Sequence, residues 1–275
     1  MPEANMKLSF MTWVTPKWGV DEIIGAARRH GYQGVEIRVE SNHAHGIERT
    51  ASPESAKTAG LRFREAGIEL CCIATSCRFA IADPAERARQ TEDLLAYIEL
   101  AHIVGCSRLR VFGGNMPDGV EPAGAIDWVA DAISEAMEAA EQKRVSILLE
   151  THDSFSRTHY VREVMRQLYS DYVGVVWDII HPLRHLENVQ ETFDNIAPYI
   201  RHCHVHDMAY NEDRTKLNWA EPGAGIAPFS EAVQLLAAHG FSGYLSVEVM
   251  EGDPDGVLAA YADFLRKRME EASGS

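Results

Sequence analysis

Short apolar runs recur along the chain, and longer stretches with apolar residues at helical spacing separate them. The runs lie at residues 7–12, 34–39, 68–74, 108–112, 145–149, 174–177, 200–205 and 243–249. Between and after them, helical patterning covers 20–30, 53–66, 84–104, 123–142, 158–169, 187–197, 228–239 and 254–267. Gly31, Gly67, Gly105 and Gly240 stand where four of these helices should stop, and Pro53 stands where one should begin. The polar stretches 41–50 and 208–227 read as loops.

Eight strand–helix alternations follow one another with no linker or shift of composition. Alternation of this kind implies a parallel sheet with right-handed crossovers. Eight units in a chain of this length fit a closed (β/α)8 TIM barrel, an α/β fold, as a single domain over 1–275 with the barrel at about 7–267. An open dinucleotide-binding sheet would carry a glycine fingerprint at its first strand–helix turn, where this chain has Thr15-Pro-Lys-Trp-Gly19. Gly113-Gly114 reads as a tight turn.

Four of the later runs break the apolar pattern at their ends. Residues 146–150 close on Glu150, 173–178 close on Asp178, and 244–248 close on Glu248. The seventh run carries His202, His204 and His206, which alternation places on one face. A charge at the end of a buried strand is costly unless something compensates it. In a barrel, the C-terminal ends of neighbouring strands converge on one mouth. Carboxylates and an imidazole gathered there suggest one shared compensator, a divalent metal. A set rich in hard oxygen donors suits Mn2+ or Mg2+ best, with Co2+ or Zn2+ also admissible because a histidine is present.

Charge and composition narrow the reading further. The 275 residues are 46% hydrophobic with a formal net charge of −15. The first figure allows a large core, and the second argues against a nucleic-acid partner, which normally meets a basic face. The five cysteines include no CxxC pair and read as reduced buried thiols. No run is long enough to span a membrane, and the N-terminus lacks a signal-peptide charge and core. The expectation is a cytoplasmic protein without a membrane or nucleic-acid partner.

The segments Leu148-Leu-Glu150-Thr-His152, Val176-Trp-Asp178-Ile-Ile-His181, residues 200–207, Pro222-Gly-Ala-Gly225 and Gly243-Tyr-Leu-Ser-Val-Glu248 resemble the xylose isomerase-like TIM-barrel superfamily. Within it they are most similar to the sugar phosphate isomerase/epimerase group, and Gly31-Tyr-Gln-Gly-Val-Glu36 is similar to its second strand. The resemblance implies Glu150, Asp178, His204 and Glu248 as metal ligands, with Glu150 and Glu248 also moving the proton. A small polyhydroxylated substrate and a homodimer or homotetramer are expected as well. The resemblance implies His181 as a contact to substrate oxygens, and His152 is expected beside it. Glu36 and Arg110, near early strand ends, are expected to join them, in a neighbourhood that includes Trp13, Arg38, His43, His45 and Arg78.

The implied chemistry is proton abstraction next to a carbonyl, through an enediolate whose negative oxygen the metal stabilises. Return of the proton to the same carbon epimerises a sugar, keto-sugar or inosose. Return to its neighbour isomerises it, and loss of a β-hydroxyl would make the protein a dehydratase of a keto-polyol. Ketose 3-epimerases of the group carry a carboxylate and an arginine where this chain has Ser156 and Tyr210. An endonuclease IV-like phosphodiesterase shares the Asp178-x-x-His181 spacing but takes further histidines from strands three and four. Here those strands end in Ala74-Thr-Ser-Cys77 and Phe112-Gly-Gly-Asn115. A partner-dependent subunit that keeps the metal without turnover is the remaining alternative.

Overall fold

The structure, a computed structural model, describes residues 5–274. Residues 1–4, part of the stretch read as lacking a signal peptide, and Ser275 lie outside it. Eight parallel strands close into a barrel: β1 (Lys7–Met11), β2 (Gly34–Arg38), β3 (Glu69–Arg78), β4 (Arg108–Phe112), β5 (Ser146–Glu150), β6 (Val173–Asp178), β7 (Ile200–Val205) and, after a small hairpin, β10 (Tyr244–Val247). β10 pairs with both β7 and β1, which completes the ring. Eight helices surround it: α1 (Val20–His30), α2 (Pro53–Glu65), α3 (Pro84–Val104), α4 (Pro122–Lys143), α5 (Thr158–Gln167), α6 (Val189–Ile196), α7 (Phe229–Ala238) and α8 (Pro254–Ser273).

Local chemistry sets the helix ends. Ser52, Asp83 and Asp253 accept backbone N–H groups at the starts of α2, α3 and α8, each with proline next in the chain. Gly31 ends α1 in a left-handed conformation, which returns its N–H to the carbonyls of the last turn.

Three segments depart from the sequence expectation. Residues 208–227 were expected as a loop, but they contain an antiparallel hairpin of β8 (Met208–Tyr210) and β9 (Leu217–Trp219). Strands of three residues are too short for periodicity to show. α6 begins at Val189, later than expected, because Asn188 caps it by accepting the Glu191 N–H at 2.9 Å, and a 3-10 turn, His181–His185, follows β6. α8 runs to Ser273, beyond the expected end at residue 267.

Strand alternation divides the interior in two. Phe10, Ile37, Val111, Leu149, Trp177 and Val205 face outward into one apolar layer shared with the helices. Each large side chain buried there contributes about 1.5–3 kcal/mol of transfer free energy. The alternate positions, among them Glu36, Arg110, Glu150, Asp178, His204 and Ser246, are buried inside the barrel. The core of the fold is therefore the layer between barrel and helices, and the upper barrel is free to be polar. No helix among the described residues is long and apolar enough to cross a membrane.

Candidate metal centre at the barrel mouth

Glu150, Asp178, His204 and Glu248 converge at the C-terminal ends of β5, β6, β7 and β10. One ligand atom from each lies within 4.8 Å of all the others. His204 is the pivot. Its Nδ1 lies 3.0 Å from Glu150 Oε1 and 3.0 Å from Glu248 Oε2. Its Nε2 faces the other way and lies 3.0 Å from Glu36 Oε1. Of the three strand-seven histidines that alternation left open, His204 is the one whose nitrogen enters this group.

Asp178 is presented to the group by its own turn. Its Oδ1 accepts the N–H groups of Ile180 and His181 at 2.8 and 3.0 Å, and its backbone N–H donates to Thr151 Oγ1 at 2.9 Å. Its Oδ2 is buried and has no hydrogen-bond partner among the described residues. One oxygen thus fixes the side chain and the other is left for a ligand. The Asp-x-x-His spacing is the chain length this turn needs.

Burial would push the Asp178 carboxyl pKa up, yet His181 and His206 beside it hold it below the usual range. For Glu248, burial is likewise outweighed by His204, and its pKa is lowered. Burial would push the His204 imidazole down, but Glu36, Glu248 and Glu150 together hold it well above its ordinary value. A buried anionic group that draws a proton onto its only imidazole is a site short of positive charge. The orphaned Asp178 Oδ2 and a donor set of three carboxylates and one imidazole fit a hard or borderline divalent cation.

The expected substrate contacts are spread over two levels. His152 and His181 stand at the mouth with ring centroids 4.5 Å apart, and His181 continues to His206 at 5.7 Å. Arg110 is buried, with its Nε 3.0 Å from Glu150 Oε2 and its Nη1 donating to the Thr75 carbonyl at 2.6 Å. Glu36 was expected at the mouth, but the structure encloses it. It pairs in register with Met11, a layer below the strand end, and Arg38 two residues on occupies the higher level. Its oxygens are committed to His202, His204 and Ser246.

Two neighbours of the site, His206 and Asp207, were given no role of their own from sequence. His206 Nδ1 lies 3.4 Å from Asp178 Oδ2, and its ring packs 5.1 Å from Trp219 on the hairpin. Its place two residues beyond His204 was the available signal. Asp207 accepts four backbone N–H groups, those of Met208, Gly223, Gly225 and Ala227, at 2.8–3.0 Å. A Cβ at Gly225 would lie 2.2 Å from the Met208 carbonyl oxygen, so the Pro-Gly-Ala-Gly segment is built to close against this aspartate. Gly113 allows a similarly close approach, there to the Phe155 ring at 2.1 Å. Ser156 is buried in a 3-10 turn after β5, and Tyr210 is half exposed on the hairpin.

A closed parallel barrel with metal-competent side chains at four successive strand ends defines a (β/α)8 protein with its site at the C-terminal face. The chain belongs to the xylose isomerase-like TIM barrel family, whose pattern it matches over residues 24–268. A putative hydroxypyruvate isomerase of Streptomyces coelicolor is 23% identical over 245 residues, 83% of this chain and 84% of that protein. An uncharacterised protein of Methanocaldococcus jannaschii is 21% identical over 169 residues, and the match spans 61% of the length of each. Among solved structures, an L-ribulose 3-epimerase superposes with a TM-score of 0.79 at 15% identity, covering 97% of this chain and 95% of that one. The IOLI protein with a bound zinc atom gives 0.79 at 18% identity, covering 98% of each chain. At these identities the structural likeness is one of fold.

Proposed function

We propose that this protein is a divalent-metal-dependent isomerase or epimerase of a small sugar, keto-sugar or inosose. The observation that carries the reading is the placement of Glu150 and Glu248, each 3.0 Å from the same His204 nitrogen, beside Asp178 Oδ2, which makes no hydrogen bond among the described residues. The relative described as a putative hydroxypyruvate isomerase and the superposed epimerase support the same class.

Glu150, Asp178, His204 and Glu248 would hold the cation. When bound, it supplies positive charge to the substrate oxygens on which negative charge develops. The protein's own groups do the rest. Glu150 and Glu248 approach from different strands, so one takes the proton from the carbon beside the carbonyl and either can return it. The Glu248 side chain is 16% exposed and opens to the mouth, whereas Glu150 is enclosed and oriented by Arg110. His152 and His181 hold substrate hydroxyls along one wall. Mn2+ or Mg2+ suits the oxygen-rich set, and the zinc-containing structural neighbour keeps Zn2+ in view.

Ser156 and Tyr210, in place of the carboxylate and arginine of ketose 3-epimerases, favour a neighbouring outcome of the same deprotonation as the second reading. Loss of a β-hydroxyl would then make the protein a dehydratase. A screen in D2O with added Mn2+, over ketoses, inososes and hydroxy-keto acids, tests both. Deuterium at one carbon supports proton transfer, and product analysis separates epimer, isomer and dehydrated product. Absence of exchange in every compound, with metal bound, would overturn the proposal.

A further inference from the structure

Glu36 on β2 is separated from the β7 histidines it meets by β1 and β10, and it is shielded from solvent. A carboxylate at this depth is unfavourable unless donors surround it. Three do. His202 Nε2 lies 2.9 Å from Oε2, the Ser246 hydroxyl donates to the same oxygen at 2.7 Å, and His204 Nε2 lies 3.0 Å from Oε1. Glu36 can only accept, so the nitrogen of His204 facing it must carry the hydrogen. In the neutral ring the lone pair then belongs to Nδ1, the nitrogen that faces Glu150 and Glu248. Nδ1 also faces carboxylates, those of Glu150 and Glu248, but these are ligands of the same cation, which would take the place of any hydrogen there.

We propose that Glu36 is a positioning residue for the metal centre. From beneath the site it holds His204 in the Nε2–H tautomer, so that the imidazole ligates through Nδ1, and it strengthens that nitrogen as a donor. His202 and Ser246 hold Glu36 in turn. They fix the carboxylate at Oε2 and leave Oε1 directed at His204. The inference rests on the metal-dependent reading above but concerns binding, so substrate identity and turnover do not enter it.

The test is metal uptake by the intact protein, read by calorimetry and by the visible spectrum of bound Co2+. Glu36→Gln keeps the size and removes the charge. It should weaken Co2+ and Mn2+ binding about 10- to 100-fold and alter the Co2+ spectrum, the range typical of outer-shell carboxylates behind a ligating histidine. Ser246→Ala removes one of the two groups that fix Glu36 but leaves the His204 contact in place, so it should weaken metal binding by less than Glu36→Gln does. A second measurement needs no variant. Histidine 15N shifts in the Zn2+-loaded protein should show His204 protonated at Nε2 and metal-bound at Nδ1. Unchanged affinity and spectrum in Glu36→Gln, or ligation through Nε2, would overturn this proposal alone. Failure of the unaltered protein to take up any of these metals would overturn it together with the metal-dependent function.

Discussion

Arg110 Nε lies 3.0 Å from Glu150 Oε2, and solvent reaches neither side chain. The contact is an ion pair without hydrogen-bond alignment, because other contacts place the guanidinium. Its Nη1 donates to the Thr75 carbonyl on β3, and its plane sits 3.9 Å over the Phe112 ring. Arg110 is therefore held by β3 and β4 and in turn limits where the Glu150 carboxylate can go. A base that must meet a C–H bond needs such a fixed direction.

Removing the guanidinium should cost both stability and rate. Arg110→Met removes one of two charge partners of the buried Glu150 and leaves His204, so the destabilisation should fall below the about 3–5 kcal/mol seen when a buried pair is broken outright. Urea unfolding of the metal-free protein measures it. Mn2+ added in excess should recover part of the loss by neutralising Glu150, so the difference between the two proteins should shrink in metal. An equal difference in both conditions would mean that Arg110 acts through packing against Phe112 alone.

The proton-transfer roles make a sharper demand. Glu150→Gln and Glu248→Gln keep an oxygen for the metal but cannot accept a proton. Each should lower turnover by about 10²–10⁴-fold, the usual contribution of a positioned acid or base. His204→Ala should weaken metal binding as well. Undiminished turnover in Glu248→Gln would falsify its role in proton transfer, and retention of metal with full affinity in His204→Ala would remove it from the ligand set.

The pH dependence follows from which groups change charge on folding. The His204 pKa is raised well above its ordinary value by Glu36, Glu248 and Glu150 against the opposing effect of burial. A raised folded-state pKa gives stability that is fully present below about pH 6.5 and is lost as pH climbs through the folded value. The Glu36 and Asp178 pKa values lie below their ordinary range, held there by neighbouring histidines against burial. Their stability is present above about pH 4 and is lost as pH falls. These groups hold stability between roughly pH 4.5 and 6.5, and burial lowers the pKa values of His45, His181 and His202, which moves the optimum of the metal-free protein to the upper end of that window. Its melting temperature should decline on the alkaline side in EDTA. Saturating Mn2+ replaces the proton as the compensating charge, so the decline should flatten, and parallel profiles in EDTA and Mn2+ would contradict this account.

The barrel and its four charged strand ends were legible in the sequence for a physical reason. A buried parallel strand reads as an apolar run, and Glu150, Asp178 and Glu248 interrupt such runs where solvent cannot compensate them. Alternation also placed His202, His204 and His206 on one face, which the structure turns into the barrel interior. The level of each side chain within the barrel was not legible. Glu36 and Arg38 differ by one alternation, yet one meets His204 from below and the other lies nearer the mouth. That difference depends on strand stagger and on partners far away in sequence, 168 residues for Glu36 and His204. The hairpin of β8 and β9 escaped notice because its strands are held by Asp207 and pairing, not by an apolar stripe.

Asp207 provides the last prediction. Its two oxygens accept four N–H groups that span the hairpin start and residues 223–227, so one buried carboxylate sets the path of the chain beside His206 and Trp219. Asp207→Ala would strand several of these donors, each costing about 1–3 kcal/mol if it stays dry. The cheaper response is for the segment to open and hydrate, because it lies at the surface. Limited proteolysis should then cut first within residues 208–227, while metal affinity, which depends on strand ends the loop does not hold, should change little. A KM raised more than kcat falls is expected if the loop covers bound substrate. Intact resistance to protease in Asp207→Ala would show that hairpin pairing suffices to hold the loop.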